Sequence, residues 1–196
     1  GAPSRGRSTR RTHLKWQIET ALREILMGQN IAAILVTHDR DEAFRIAQEI
    51  ATVDRGQLTP PMDRHELFRS SGTCAGARLT GCKNISAARR RDAAHIEATD
   101  WGITLAVTDD VTDAHHIAIR AHYFVPVQEG GENVFPAQIA EIIESTFSMI
   151  VMLRFAAGAH LVRWEVDKPA WEALHVSENA SLCICFPPDA LMLLRD

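Results

Sequence analysis

From residue 74 onward, apolar stretches of three to nine residues alternate with turn signals every 8–12 positions. This pattern constrains the fold more than any other feature of the chain. The stretches fall at 77–79, 95–98, 103–107, 117–121, 137–145, 149–155, 160–166 and 181–186. Repeated short strands of this kind predict a small β-barrel or sandwich. Gly130-Gly131-Glu132-Asn133 divides the region into halves of similar size, 74–127 and 134–196. Each half begins with a strand and ends in a proline-containing exit, at Pro126 and at Pro187-Pro188. The similarity suggests a weak internal duplication, although no residue-level repeat is visible. Pro169 to Leu174 reads as a helical turn, and Trp101-Gly102 as a turn whose indole packs on the barrel. Trp164 and Trp171 are expected to pack against strands of the second half.

Residues 13–70 follow a different rule. Leu14, Ile18, Leu22, Ile25 and Leu26 recur at helical spacing, so 13–28 reads as an amphipathic helix. Ile31 to Val36 is a continuous apolar run, as in a strand buried on both faces of a parallel sheet. Asp39 then offers an N-cap, with Glu42 as its capping-box partner. Ala43, Ile46, Ala47 and Ile50 mark a buried helical face. Residues 51–53 and 57–58 predict short strands around Gly56, and 63–68 a short helix. This order is the closing portion of an α/β domain, and Ser70-Ser71-Gly72-Thr73 reads as its linker to the β region.

Composition narrows the function classes. The net charge of -4 argues against a general nucleic-acid binder held by phosphate contacts. The charge is uneven: residues 1–12 hold four arginines and no acid. No apolar run approaches the roughly 20 residues of a membrane span, and Gly1 to Arg11 lacks the apolar core of a signal peptide. Cys74, Cys82, Cys183 and Cys185 match no zinc template, so no metal ligand is expected from their spacing. Arg89-Arg90-Arg91 reads as a solvated hairpin tip, and His115-His116 as polar decoration at a strand entrance, because adjacent strand residues face opposite ways.

Thr37-His38 carries the sharpest chemistry. His38 follows the C-terminal end of the apolar strand, the edge at which open α/β sheets bind ligands. It also precedes a helix N-terminus, where free N–H groups favour an anion. Such a histidine can donate to a phosphate oxygen; equally, it can be a residue packed beside a cap.

Ile34-Leu-Val-Thr-His-Asp-Arg-Asp-Glu-Ala43, with Ile50-Ala-Thr-Val-Asp-Arg-Gly-Gln-Leu58, resembles the switch-histidine segment of ABC-transporter ATPases. Leu14-Lys-Trp-Gln17 resembles the helix after that family's conserved Asp loop. The resemblance implies that His38 contacts the γ-phosphate of ATP, with Mg, between two ATPase subunits that drive transmembrane permease subunits. It implies a peripheral location on the cytoplasmic face of a bacterial plasma membrane and no nucleic-acid partner. Leu79-Thr-Gly-Cys-Lys-Asn-Ile85, Asp100-Trp-Gly102 and Ile117-Ala-Ile-Arg120 resemble the accessory barrel of oxyanion-importer ATPases, an OB-like TOBE β-barrel. The fold expected is therefore an α/β fragment, the end of a P-loop NTPase domain (13–70), followed by an all-β OB-like TOBE barrel (74–196).

Gly81-Cys-Lys-Asn84 resembles the Ser-Ala-Arg-Asn motif of small molybdate-binding domains, which implies oxyanion binding by Lys83, Asn84 and Ser86. A tetrahedral dianion wants a cation, an amide and a hydroxyl. Lys83 replaces the family's arginine and its bidentate fork. Phe186-Pro-Pro188 replaces Lys-Ala-Ser, removing a charge and a hydroxyl. Lys83-Asn84 equally reads as an exposed turn in a structural barrel. Two other readings stand beside the importer subunit: a free-standing barrel that stores or senses molybdate, and a dimerising or regulatory domain.

These 196 residues contain no Gly-x-x-x-x-Gly-Lys-Ser/Thr phosphate loop, no Leu-Ser-Gly-Gly signature and no strand ending in Asp-Glu. Phosphoryl transfer needs that cradle and a metal-holding acid, so the chain alone is expected neither to bind ATP tightly nor to hydrolyse it. Against the family pattern, residues 1–12 do not fit. Residues 1–11, with Pro3-Ser-Arg-Gly-Arg-Ser-Thr-Arg10 as the matching stretch, are expected to be a frameshifted or mis-started reading of the catalytic strand and Asp loop.

Overall fold

The computed structural model describes residues 17–26, 28, 32–155, 158 and 160–196. The readings of residues 1–12, of Leu14 and of Ile31 lie outside them. Helix α1 covers 17–26, but the apolar face expected of it is not buried: Ile18 is 59% and Ile25 54% exposed. Glu19 is the buried residue instead, and its carboxylate accepts Nε and Nη2 of Arg45 at 2.9 and 2.7 Å. An ion pair thus joins α1 to α2 (Arg40–Ile46). Residues 32–36 form no regular element and are exposed, Ile34 at 96% and Val36 at 92%. This corrects the buried parallel strand. A strand is covered on both faces only between neighbours, and every strand pairing among the described residues is antiparallel and excludes this segment.

After α2 come two small ladders. Strand β1 (Glu49–Ile50) pairs with β4 (Met62–Asp63), and between them β2 (Val53–Asp54) pairs with β3 (Gln57–Leu58). Arg55 and Gly56 both adopt positive φ, 47° and 79°, which matches the twist of a two-residue hairpin. Helix α3 (Arg64–Arg69) starts at an Asp63 cap. It packs on α2 through Phe44 and Phe68, whose ring centroids lie 4.8 Å apart. Helix α4 (Cys74–Leu79) replaces the strand expected at 77–79. Thr73 caps it by accepting the Gly76 N–H, and a stretch without β-branched residues has no preference for strand.

Two five-stranded antiparallel sheets make up the rest. The first has the order β14-β8-β5-β6-β7 and uses β5 (Asn84–Arg90), β6 (His95–Ala98), β7 (Ile103–Ala106), β8 (His116–Ile119) and β14 (Leu191–Leu194). The second has the order β12-β11-β10-β13-β9. It uses β9 (Val125–Val127), β10 (Val134–Glu144), β11 (Ser148–Phe155), β12 (Val162–Asp167) and β13 (Ser181–Cys185), with α5 (Lys168–Leu174) after β12. The two halves of the sequence therefore exchange a strand each: β9 joins the second sheet and β14 the first. One core unites the sheets. Phe186 lies at its centre, 4.9 Å from Phe124, 5.4 Å from Phe155, 5.8 Å from Phe135 and 6.0 Å from Trp101. Trp164 is buried and meets Trp171 edge-on at 6.1 Å.

Two buried asparagines stitch the sheets at related places. Asn84, opening β5, accepts the Arg163 N–H at 2.8 Å and donates to the Arg163 carbonyl at 2.8 Å, in edge strand β12 of the other sheet. Asn133, just before β10, accepts the Ala106 N–H at 2.7 Å and donates to the Ala106 carbonyl at 2.8 Å, at the end of edge strand β7. Each amide mimics a backbone rung across to the opposite sheet. Each of these asparagines thus ties its own sheet to an edge strand of the other.

Arg120 fastens the helical segment to the barrel. It is 9% exposed, and its guanidinium donates to the Phe68 carbonyl, to the Thr80 carbonyl at 2.8 Å and to Thr80 Oγ1 at 3.1 Å. No helix among the described residues is long and apolar enough to cross a membrane.

Candidate functional site

The turn before α2 is built by its own polar side chains. Asp39 is extended (φ -92°, ψ 106°) and accepts the N–H groups of Asp41 and Glu42 at 3.0 and 3.1 Å. Thr37 Oγ1 accepts the Asp39 N–H at 3.0 Å and donates to Glu42 Oε2 at 2.5 Å. The capping box read from the sequence therefore closes through Thr37: Glu42 does not reach the Asp39 N–H itself. Between Thr37 and Asp39 the chain bends, and His38 stands exposed on that bend.

The ring of bonds corrects one further expectation. The first-turn N–H groups of Asp41 and Glu42 are taken by Asp39, and two carboxylates already occupy that turn. An anion approaching here meets His38, not a free helix N-terminus. Replacing Asp39 by alanine removes both cap bonds and should cost about 0.5–2 kcal/mol, read by urea unfolding followed through circular dichroism. A cost indistinguishable from zero would show that the cap does not hold this turn.

Helix α2 also touches the barrel beside the expected oxyanion motif. Gly81 has φ +94°, and a Cβ there would lie 1.7 Å from Arg40 Nη1, so the arginine lies directly over the glycine. Of the three motif residues, Lys83 is exposed, whereas Asn84 and Ser86 point inward. Lys83 precedes β5, and alternation along β5 puts Asn84 and Ser86 on one inward face. Asn84 is engaged with Arg163, and Ser86 Oγ accepts the Asp100 N–H at 3.0 Å while donating to the Ala87 carbonyl at 2.8 Å. The structure thus brings Thr37, His38, Asp39 and Glu42 together, and it does not converge Lys83, Asn84 and Ser86 on one point.

A third group, not anticipated, uses none of these residues, although His116 is the register partner of Ala87 across the β5–β8 ladder. Cys74, His116 and Asp196 place one ligand atom each within 4.8 Å of one another. Burial, reinforced by a hydrogen bond to Asp196, pushes the Cys74 thiol up to about 11. Cys74 and Asp196 are 122 positions apart, so no local spacing could reveal the cluster.

No protein-family model matches the chain. Curated proteins do. It is 26% identical over 178 residues to the spermidine/putrescine import ATP-binding protein PotA of Rubrobacter xylanophilus, covering 86% of this chain and 47% of that protein. It is 28% identical over 107 residues to the sulfate/thiosulfate import ATP-binding protein CysA 2 of Chromobacterium violaceum, covering 53% and 29%. It is 33% identical over 69 residues to the Fe(3+) ions import ATP-binding protein FbpC of Haemophilus influenzae, covering 35% and 20%. Its relatives are ATP-binding subunits of ABC importers. The chain spans less than half the length of each of these importer subunits. Among solved structures, it aligns with the cytoplasmic molybdate-binding protein ModG at 15% identity and a TM-score of 0.46, covering 59% of this chain and 98% of that one.

Proposed function

We propose that this chain serves within the ATP-binding subunit of an ABC importer, and that His38 contacts the γ-phosphate of ATP held between two such subunits. One observation supports this reading above the others. His38 is exposed on a bend that Thr37, Asp39 and Glu42 lock with side-chain hydrogen bonds. The locked backbone presents the imidazole at one place, which lowers the reorganisation needed to donate to a phosphate. ATP with its Mg supplies the energy of closure, and transmembrane permease subunits convert closure into import. In this reading the subunit sits peripherally on the cytoplasmic face of the membrane and the barrel dimerises or regulates. The substrates named for the relatives are a polyamine, an oxyanion and ferric ion. We propose an oxyanion such as molybdate or sulfate as the cargo, on the sequence resemblance of Gly81-Cys-Lys-Asn84 and not on a formed anion site, since Asn84 and Ser86 are engaged within the barrel.

The test is a chimera in which residues 13–196 replace the matching part of the Rubrobacter protein. ATP turnover should be retained, and His38→Ala should lower it at least about 100-fold, the usual cost of one transition-state donor. The 196-residue chain alone, lacking a phosphate loop, is the blank and should show no turnover. A folded His38→Ala chimera with unchanged turnover would overturn the assignment.

A further inference from the structure

The Cys74, His116 and Asp196 cluster has the donor set of a transition-metal site: one sulfur, one imidazole nitrogen and one carboxylate oxygen. We propose that these three side chains bind a single zinc ion, which clasps the start of α4 to strands β8 and β14.

Backbone bonds already hold the three segments together. Leu194 and His116 are register partners across the β8–β14 ladder, and the His115 N–H donates to the Leu194 carbonyl at 2.9 Å. The Arg195 N–H donates to the Gly72 carbonyl at 3.0 Å. The Cys74 N–H donates to Asp196 Oδ1 at 2.7 Å, and His116 Nδ1 lies 2.8 Å from the Asp196 main-chain oxygen. The ligands thus sit on a scaffold that is fixed without the ion.

The geometry suits zinc. Zinc–sulfur, zinc–nitrogen and zinc–oxygen bonds of about 2.3, 2.0 and 2.1 Å set ligand atoms roughly 3.3–3.8 Å apart in a tetrahedron. The ligand atoms lie within 4.8 Å of one another, so closing to that spacing needs shifts of about 1–1.5 Å. Cys74 is buried, His116 is half-buried and Asp196 is exposed, so the ion would enter from solvent and keep water in its fourth position. As the zinc–sulfur bond forms, the thiol proton leaves to water. Mixed sulfur and nitrogen ligation excludes magnesium and calcium, which take oxygen donors. The juxtaposition involves none of the residues around His38.

The experiment uses the reduced, chelator-stripped 196-residue chain, titrated with zinc chloride alone against a chelating dye. One equivalent should bind, and zinc should raise the melting temperature by mass action. Cobalt(II) in its place should show a thiolate charge-transfer band. His116→Gln and Asp196→Asn should each weaken zinc binding at least about 100-fold, since even outer partners of metal ligands are worth about 10–100-fold. Cys74→Ser should remove the charge-transfer band, whereas Cys183→Ser should leave it intact. If Cys74→Ser fails to fold, His116→Gln decides, because that residue is only half-buried. Absence of stoichiometric zinc, or unchanged affinity in a folded His116→Gln chain, would overturn the proposal. Neither result bears on the role given to His38.

Discussion

Phe186→Ala should destabilise the chain by about 3–5 kcal/mol, the range for emptying a buried aromatic site. The ring is fully buried and makes four aromatic contacts, with Trp101 and Phe124 from the first half of the β region and Phe135 and Phe155 from the second. Trp101 follows β6 of the first sheet and Phe155 closes β11 of the second, so the ring is the wedge on which both sheets close. Neighbouring rings cannot collapse into the space without breaking the edge-on packing of Phe124 and Phe135, at 86° and 82° to Phe186. For a chain of this size the melting temperature should fall by roughly 6–20 °C. Phe186→Leu keeps most of the volume and should cost less than about 1.5 kcal/mol. Calorimetric unfolding of both variants decides the matter: equal costs would mean that the ring does not key the two sheets.

Asn84→Ala should cost about 2–6 kcal/mol. The substitution leaves the N–H and the carbonyl of half-buried Arg163 without their 2.8 Å partners, and each polar group left unsatisfied costs about 1–3 kcal/mol. Asn133→Ala should do the same to Ala106, at the opposite end of the exchange. The two sites share no partner, so the double variant should lose the sum within about 0.5 kcal/mol. Chemical denaturation of the three variants supplies the measurement. The same experiment bears on the oxyanion reading. If Asn84→Ala keeps full stability yet loses molybdate binding, the amide serves a ligand and not the neighbouring strand.

Much of the β region was legible because its inward positions are apolar. Strands β6, β7, β10, β11 and β13 fall where alternation placed them, with Ile96, Leu105, Ile139, Leu153 and Ile184 fully buried. Strand β5 was not, because its inward residues are Asn84 and Ser86: the first reaches across to the other sheet and the second holds Asp100, so polar side chains take inward positions there. Strand β14 escaped for the opposite reason. Leu191, Met192, Leu193 and Leu194 are buried on both faces, so no alternation exists to be seen. Ile34 and Val36 mark a third limit. Their apolar run specifies burial, but burial requires neighbours that no reading of the run itself can supply. At the candidate site, Asp39 was legible as a cap, while the relay through Thr37 depended on a bend that residue spacing does not encode.

The exchange of β14 has a consequence for synthesis. Strand β8 is flanked by β5 on one side and β14 on the other, and β14 lies more than 70 residues further along the chain. While the ribosome makes that interval, β8 waits with one hydrogen-bonding edge open. An open edge is a template for pairing with other nascent chains, and long-range closures of this type are slow. The first sheet therefore becomes safe only after residue 194 has emerged, and the whole second sheet must be made within that window.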